Sequence, residues 1–85
     1  PVLAVEVLSP TDRPGKVNAK IQEYLTAGTK VVWLADYEER TVTVYRPGQG
    51  FVILKATDTI ADVPELPGFT CKVADLFRLP GQPPM

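Results

Sequence analysis

No histidine occurs in this chain, and there is only one cysteine, Cys71. Ser-His-Asp and Cys-His catalysis both need an imidazole to activate the nucleophile, so neither can be assembled here. Zinc sites built from Cys and His clusters are excluded on the same ground, and a single thiol closes no internal disulfide. A lone cysteine is expected to act as a small buried hydrophobe. A cytoplasmic location fits this scarcity of thiols. No apolar run approaches the ~20 residues needed to cross a bilayer, so no membrane partner is expected. The first residues are apolar, but they include Glu6 and lack a basic leader, which argues against a signal peptide. Basic residues form no run, and the formal net charge is -1. Nucleic-acid-binding domains usually show a basic patch; charges distant in sequence can still meet on one face.

What is present suits one small globular domain. The chain has 85 residues, of which 45% are hydrophobic and 22% charged. That length allows one domain at most, and that composition excludes a disordered tail. A chain this short buries a smaller share of its surface than an average domain.

Pro1 to Leu8 is a nearly continuous apolar run rich in valine, closed by Ser9-Pro10. It predicts a strand buried on both faces. Such a strand needs neighbours on both sides, so the chain reads as the C-terminal portion of a longer domain with its N-terminal elements upstream. Ser9 to Gly15 is turn chemistry. Lys16 to Ala27 predicts a helix, because Val17, Ile21, Tyr24 and Leu25 recur at i, i+4, i+7 and i+8. Gly28 then suits a left-handed cap. Lys30 to Asp36 predicts a second buried strand. Thr41 to Arg46 alternates like a half-buried one, Pro47 to Gly50 makes a hairpin turn, and Phe51 to Lys55 returns. The fold class is α/β: a parallel strand pair bridged by a crossover helix, then an antiparallel hairpin. A brief extended piece near Thr59-Ile60, a short edge strand within Phe69 to Val73 and a helical turn from Val73 to Phe77 follow. The domain is expected over residues 1–79, with 80–85 a Pro-rich tail.

Glu6 is the most informative residue, because it lies between Val5 and Val7 in the most apolar segment. A carboxylate buried without a partner is strongly unfavourable, so such groups are paired, neutralised or bound to a metal. Two readings stay open: a strand-end glutamate reaching water or a salt bridge, or a carboxylate held on a rigid strand for a divalent ion. Lys20 falls about 80° from the centre of the helix stripe at about 100° per residue. It is therefore a flank residue that either snorkels to water or points its amine toward the end of the first strand. Lys16, one turn earlier, reads better as a solvated helix-start lysine. Tyr24 lies on the stripe with its hydroxyl a candidate for the site, and Trp33 reads as core. Asp36 is expected to cap the following turn. Ser9 and Asp12 are within loop reach of Glu6. Ser9 is better placed to cap the loop than to act as a nucleophile, for want of an activating histidine.

Taken in order, these residues resemble the restriction-endonuclease-like proteins of the PD-(D/E)XK nuclease superfamily, in particular a group described as putative restriction endonucleases. The pattern is a proline-led apolar strand with Glu6, then Ser9-Pro10, a helix with Lys20 and Tyr24, Gly28, and a strand with Trp33 ending in Asp36. Val42 to Pro47 and Leu66-Pro67-Gly68-Phe69 also match, so the resemblance runs to about Phe77. It implies a mixed-sheet hydrolase fold and phosphodiester cleavage of DNA with Mg²⁺ or Mn²⁺. Glu6 would correspond to the second metal-binding carboxylate, with the backbone carbonyl of Val7 also facing the ion. Leu8 stands where the superfamily motif has its lysine, which points to Lys20 as the displaced cation. The first acidic residue would lie upstream of Pro1. The 85 residues would then hold half of a metal site and be inactive alone, and the sheet edge left open would favour a homodimer. The alternative is a non-catalytic nuclease-like module for protein contacts or oligomerisation, which the net charge favours. The two differ in a visible way: a shared cleft for Glu6 and Lys20 suits the enzyme, and a Glu6–arginine pair suits the module.

Overall fold

A computed structural model describes residues 2–78, and in it four of the apolar segments line up as one sheet. Strands β1 (Leu3–Leu8), β2 (Val31–Asp36), β3 (Thr41–Tyr45) and β4 (Phe51–Leu54) lie side by side in that order. β1 and β2 are parallel and joined through helix α1 (Pro14–Thr26), while β2–β3 and β3–β4 are antiparallel. This is the expected α/β arrangement. Strands β5 (Thr59–Ile60) and β6 (Cys71–Lys72) form a separate antiparallel pair, and helix α2 (Val73–Leu76) follows. The expected tail, residues 80–85, and the last residue of the expected domain, Leu79, lie outside the described residues. Among the described residues no helix is long and apolar enough to cross a membrane.

α1 begins two residues earlier than its apolar stripe predicts. Pro14 occupies the first turn, where its missing N–H has no intrahelical acceptor to lose and its fixed φ already suits the helix. The other end is as predicted. Gly28, at φ 103°, donates to the Leu25 carbonyl, and Thr29 donates to the Tyr24 carbonyl, which closes the helix in the left-handed manner. Asp36 also behaves as expected: its Oδ1 accepts from the backbone N–H groups of Glu38 and Glu39 at 3.0 and 3.1 Å and holds the β2–β3 turn.

The sheet is covered on both faces by different elements. On one face Val31, Trp33 and Ala35 of β2 and Val42 and Val44 of β3 pack under Ile60, Val63, Val73 and Phe77. On the other face α1 lays Ile21, almost fully buried, over the β2 side that carries Val32 and Leu34. Cys71 is only half-buried, because it stands in the short β5–β6 pair and not in this core; its Sγ donates to the Lys72 carbonyl.

β1 departs from the sequence reading. Val5 and Val7 share the face of Trp33 and Ala35 by register, yet they are 54% and 56% exposed. The covering segment from β5 to α2 packs over β2 and β3, and of β1 only Leu3 packs against this core, which leaves Val5 and Val7 exposed. β1 also ends the strand order, so it has one paired edge among the described residues instead of two.

Arg46, just beyond β3, donates from Nε and Nη2 to the two carboxylate oxygens of Glu65 at 3.2 and 3.0 Å and ties the β5–β6 loop to the sheet. The guanidinium holds the Glu65 carboxyl below its ordinary value of 4.5. The pair's contribution is therefore complete above about pH 4.5 and lost as pH falls through the depressed folded value. Glu65→Gln is expected to lower stability at neutral pH by up to about 1 kcal/mol, as for a bidentate pair still reached by water. The difference from wild type should vanish in strong acid. Chemical denaturation across that range checks it, and a pH-independent difference would contradict the assignment.

Candidate active site

Glu6 belongs to the α1 side of the sheet because it is registered with Leu34, while its neighbours Val5 and Val7 point the other way. α1 crosses that face with Lys20 and Tyr24 one turn apart, a spacing that puts both side chains on the same flank. Both reach Glu6, and both reach the same oxygen. The Tyr24 hydroxyl donates to Oε1 at 2.6 Å, and the Lys20 ammonium lies 3.2 Å from Oε1. Among the described residues no hydrogen bond or ion pair engages Oε2. The Glu6 side chain is 21% exposed and that of Lys20 57%, so the carboxylate is sheltered while the amine stays in contact with water.

These contacts fix the protonation states. The hydrogen bond to Glu6, then its charge, hold the Lys20 ammonium above its usual value. The same carboxylate, together with desolvation, raises the Tyr24 phenol. At neutral pH Lys20 is a cation and Tyr24 keeps its proton, so both are donors to Glu6.

A cavity of about 130 Å³ opens beside Glu6, bordered by Glu6, Val7, Asp12, Lys16, Lys20 and Leu34 among others. Since the Val7 side chain faces away, Val7 borders this cavity through its backbone. Lys16 reaches the same cavity while remaining exposed, as a helix-start lysine should. Ser9 does not border it. Ser9 closes a small turn instead: its N–H donates to Asp12 Oδ2 at 2.7 Å, and the Asp12 N–H returns to the Ser9 carbonyl at 3.0 Å. Asp12 is the residue that sequence reasoning undervalued. It brings a second carboxylate to the cavity, and the only signal for it was its loop position near Glu6.

The donor chemistry suits a hard, oxygen-liganded cation in part. Mg²⁺ takes carboxylates and carbonyls and keeps several waters. An unengaged Glu6 oxygen, the Val7 backbone and the Asp12 carboxylate are oxygen donors of that type, while Lys16 and Lys20 suit an anion drawn to the same place. Among the described residues no group of three or more His, Cys, Asp or Glu converges on one point.

Comparison with known proteins agrees with this fold. The sequence model of one family, described as Uma2, putative restriction endonuclease, matches residues 1–74. A solved structure, that of a putative nuclease belonging to DUF820 from Anabaena variabilis ATCC 29413, superposes with a TM-score of 0.79 and 32% identity. The match covers 92% of this chain and 44% of that one, so the chain spans less than half of its relative's length. No curated protein matches.

Proposed function

The chain belongs to the Uma2 family of putative restriction endonucleases, and from that membership we propose a divalent-metal-dependent endodeoxyribonuclease that hydrolyses phosphodiester bonds. One observation carries the proposal: Tyr24 and Lys20 both engage Oε1 of Glu6, Oε2 has no hydrogen-bond or ion-pair partner among the described residues, and Glu6 borders a cavity that Asp12 and Lys16 also border. Glu6 and the Val7 carbonyl would hold the ion. When bound, Mg²⁺ or Mn²⁺ supplies polarisation of the phosphate and a lowered pKa for the attacking water.

The chain's own residues divide the remaining work. Tyr24 is a positioning residue that fixes which carboxylate oxygen faces the cavity. Lys20, charged and water-accessible, is free to move from Oε1 to a phosphate oxygen and to offset the charge that develops there. Lys16 adds a second cation to the approach of an anionic backbone. With one strand-borne carboxylate in hand, the 85 residues by themselves are proposed to be inactive, the activity belonging to the longer protein. The exposed Val5 and Val7 beside the β1 edge, which is unpaired among the described residues, favour a homodimer; light scattering on dilution tests this, and a monomer at every concentration would count against it.

The direct test is plasmid cleavage by the full-length protein with Mg²⁺, Mn²⁺ or EDTA. Nicking or linearisation that EDTA stops is the expected result, and intact plasmid under every metal condition contradicts the proposal. Tyr24→Phe removes only the hydroxyl. Loss of a group that orients a metal ligand typically costs about 10–100-fold in metal affinity or activity. The variant should therefore need more Mg²⁺ for half-maximal rate, with a smaller change in the rate at saturating metal. An unchanged metal requirement would remove Tyr24 from its positioning role.

A further inference from the structure

The cavity at Glu6 adjoins others along α1. It shares Asp12, Val17 and Leu34 with a neighbouring cavity of about 320 Å³, which in turn shares Asn18 and Tyr45 with one of about 400 Å³ at the β3–β4 hairpin. The three adjoining cavities together outline a groove from Glu6, past the N-terminal half of the helix, to its opposite flank. Its far end has a different chemistry from its beginning. The Tyr45 and Phe51 rings lie 5.8 Å apart at 44°, and Phe51 is 60% exposed. Asn18 and Gln22 face them from α1. Arg46 borders this end, but its guanidinium is committed to Glu65 by two hydrogen bonds. Among the described residues, the Asn18 and Gln22 carboxamides and the Tyr45 hydroxyl make no side-chain hydrogen bond. Burial raises the Tyr45 phenol, so it stays a donor at neutral pH.

We propose that the Tyr45–Phe51 cleft, with Asn18 and Gln22, is a subsite for one unstacked nucleobase of a single-stranded nucleic acid whose backbone passes the Glu6 cavity. An aromatic face and two carboxamides suit a flat, uncharged ring edged with donors and acceptors. Among the described residues Arg46 is the one cation at this end, and with its guanidinium already paired it is not free for a phosphate. Asp12 and Glu38 border the middle of the groove and repel a phosphate lying in it, so the backbone bridges its rim while the base enters the far end. The two ends lie on opposite flanks of one helix, about 10–12 Å across with its side chains, a span of a few nucleotides. A base held in a stacked duplex cannot enter the cleft without being extruded, so single strands bind in preference to duplex.

This subsite rests on the nuclease proposal only for what happens at Glu6, and the test separates the two. The full-length protein in EDTA is titrated with a short oligothymidylate carrying one 2-aminopurine, whose fluorescence falls when it stacks on an aromatic ring. Quenching on binding is expected, with duplex of the same sequence binding more weakly. Phe51→Ser, at an exposed position on an edge strand, should weaken binding about tenfold, the effect of losing one base–aromatic stack. Asn18→Ala on the exposed flank of α1 should weaken it as well, and Val5→Ser on the far face should not. Unaltered affinity in both cleft variants, or no quenching, overturns the subsite. Metal-dependent cleavage that is indifferent to Phe51 overturns the subsite and leaves the nuclease proposal standing. Quenching lost in Phe51→Ser, without cleavage under any metal, supports the subsite and removes the nuclease proposal.

Discussion

Glu6→Ala is expected to abolish metal-dependent cleavage by the full-length protein while the fold survives. Removing one group that stabilises a transition state typically costs about 10²–10³-fold. The loss here should exceed that, because the ion and the water it activates depend on the same carboxylate. The structural cost is small. Alanine is compatible with the strand, the ion pair removed is one that water reaches at Lys20, and the Tyr24 hydroxyl released from Oε1 is the one further bond lost. Circular dichroism and the thermal midpoint should therefore match wild type while plasmid nicking disappears. Glu6→Gln, which keeps the shape and removes the charge, should be equally inactive. Cleavage within about tenfold of wild type in either variant, with the same metal demand, would falsify the role given to this residue.

The largest loss of stability is expected from Trp33→Ala. Trp33 is 5% exposed on β2, in the middle of the sheet face that carries the core, and its ring lies 6.1 Å from that of Phe69. Through this contact β2 holds the long loop before β6 against the sheet. Truncating a buried aromatic side chain costs about 3–5 kcal/mol, a large part of what so short a chain has in total. The thermal midpoint should fall by roughly 15 °C or more, followed by far-ultraviolet circular dichroism because the only tryptophan is gone. Trp33→Phe should lose much less. A shift of only a few degrees in Trp33→Ala would show that the β5–α2 segment is held by something else.

Much of this was legible in the sequence because it depends on local rules. The stripe of Val17, Ile21, Tyr24 and Leu25 gave the helix, Gly28 its end, and the Thr41 to Tyr45 alternation a strand. The crossover from Glu6 to Trp33 then allowed a parallel pair, which the register confirms. Lys20 and Tyr24 met on Glu6 because residues one turn apart share a flank, and the helix had to return over the strand it left. What the sequence concealed is non-local. Val5 and Val7 read as buried because apolar spacing reports what a strand could bury, and not how far the covering segment extends. Pro14 and Gly15 read as turn because breakers inside a helix and at its first turn look alike. Asp12 read as a loop residue because its place in the Glu6 cavity is set by the Ser9–Asp12 turn, which depends on paired backbone and side-chain bonds. The groove along α1 has no sequence signature, since Asn18 and Gln22 meet Tyr45 only through the packing of α1 on the sheet, and Tyr45 meets Phe51 only through the register of the hairpin.

The sheltered carboxylate of Glu6, held at one oxygen and open at the other, is best tested by direct observation of its metal. Carbon-13 spectra of the side-chain carboxyl groups can be followed while Mn²⁺ is added in small amounts. The Glu6 resonance and the backbone signals of Val7 should broaden first, and Glu6→Gln should remove this early broadening. If Glu6 stays sharp while distant carboxylates such as Asp58 or Asp75 broaden, no ion is held at the first strand.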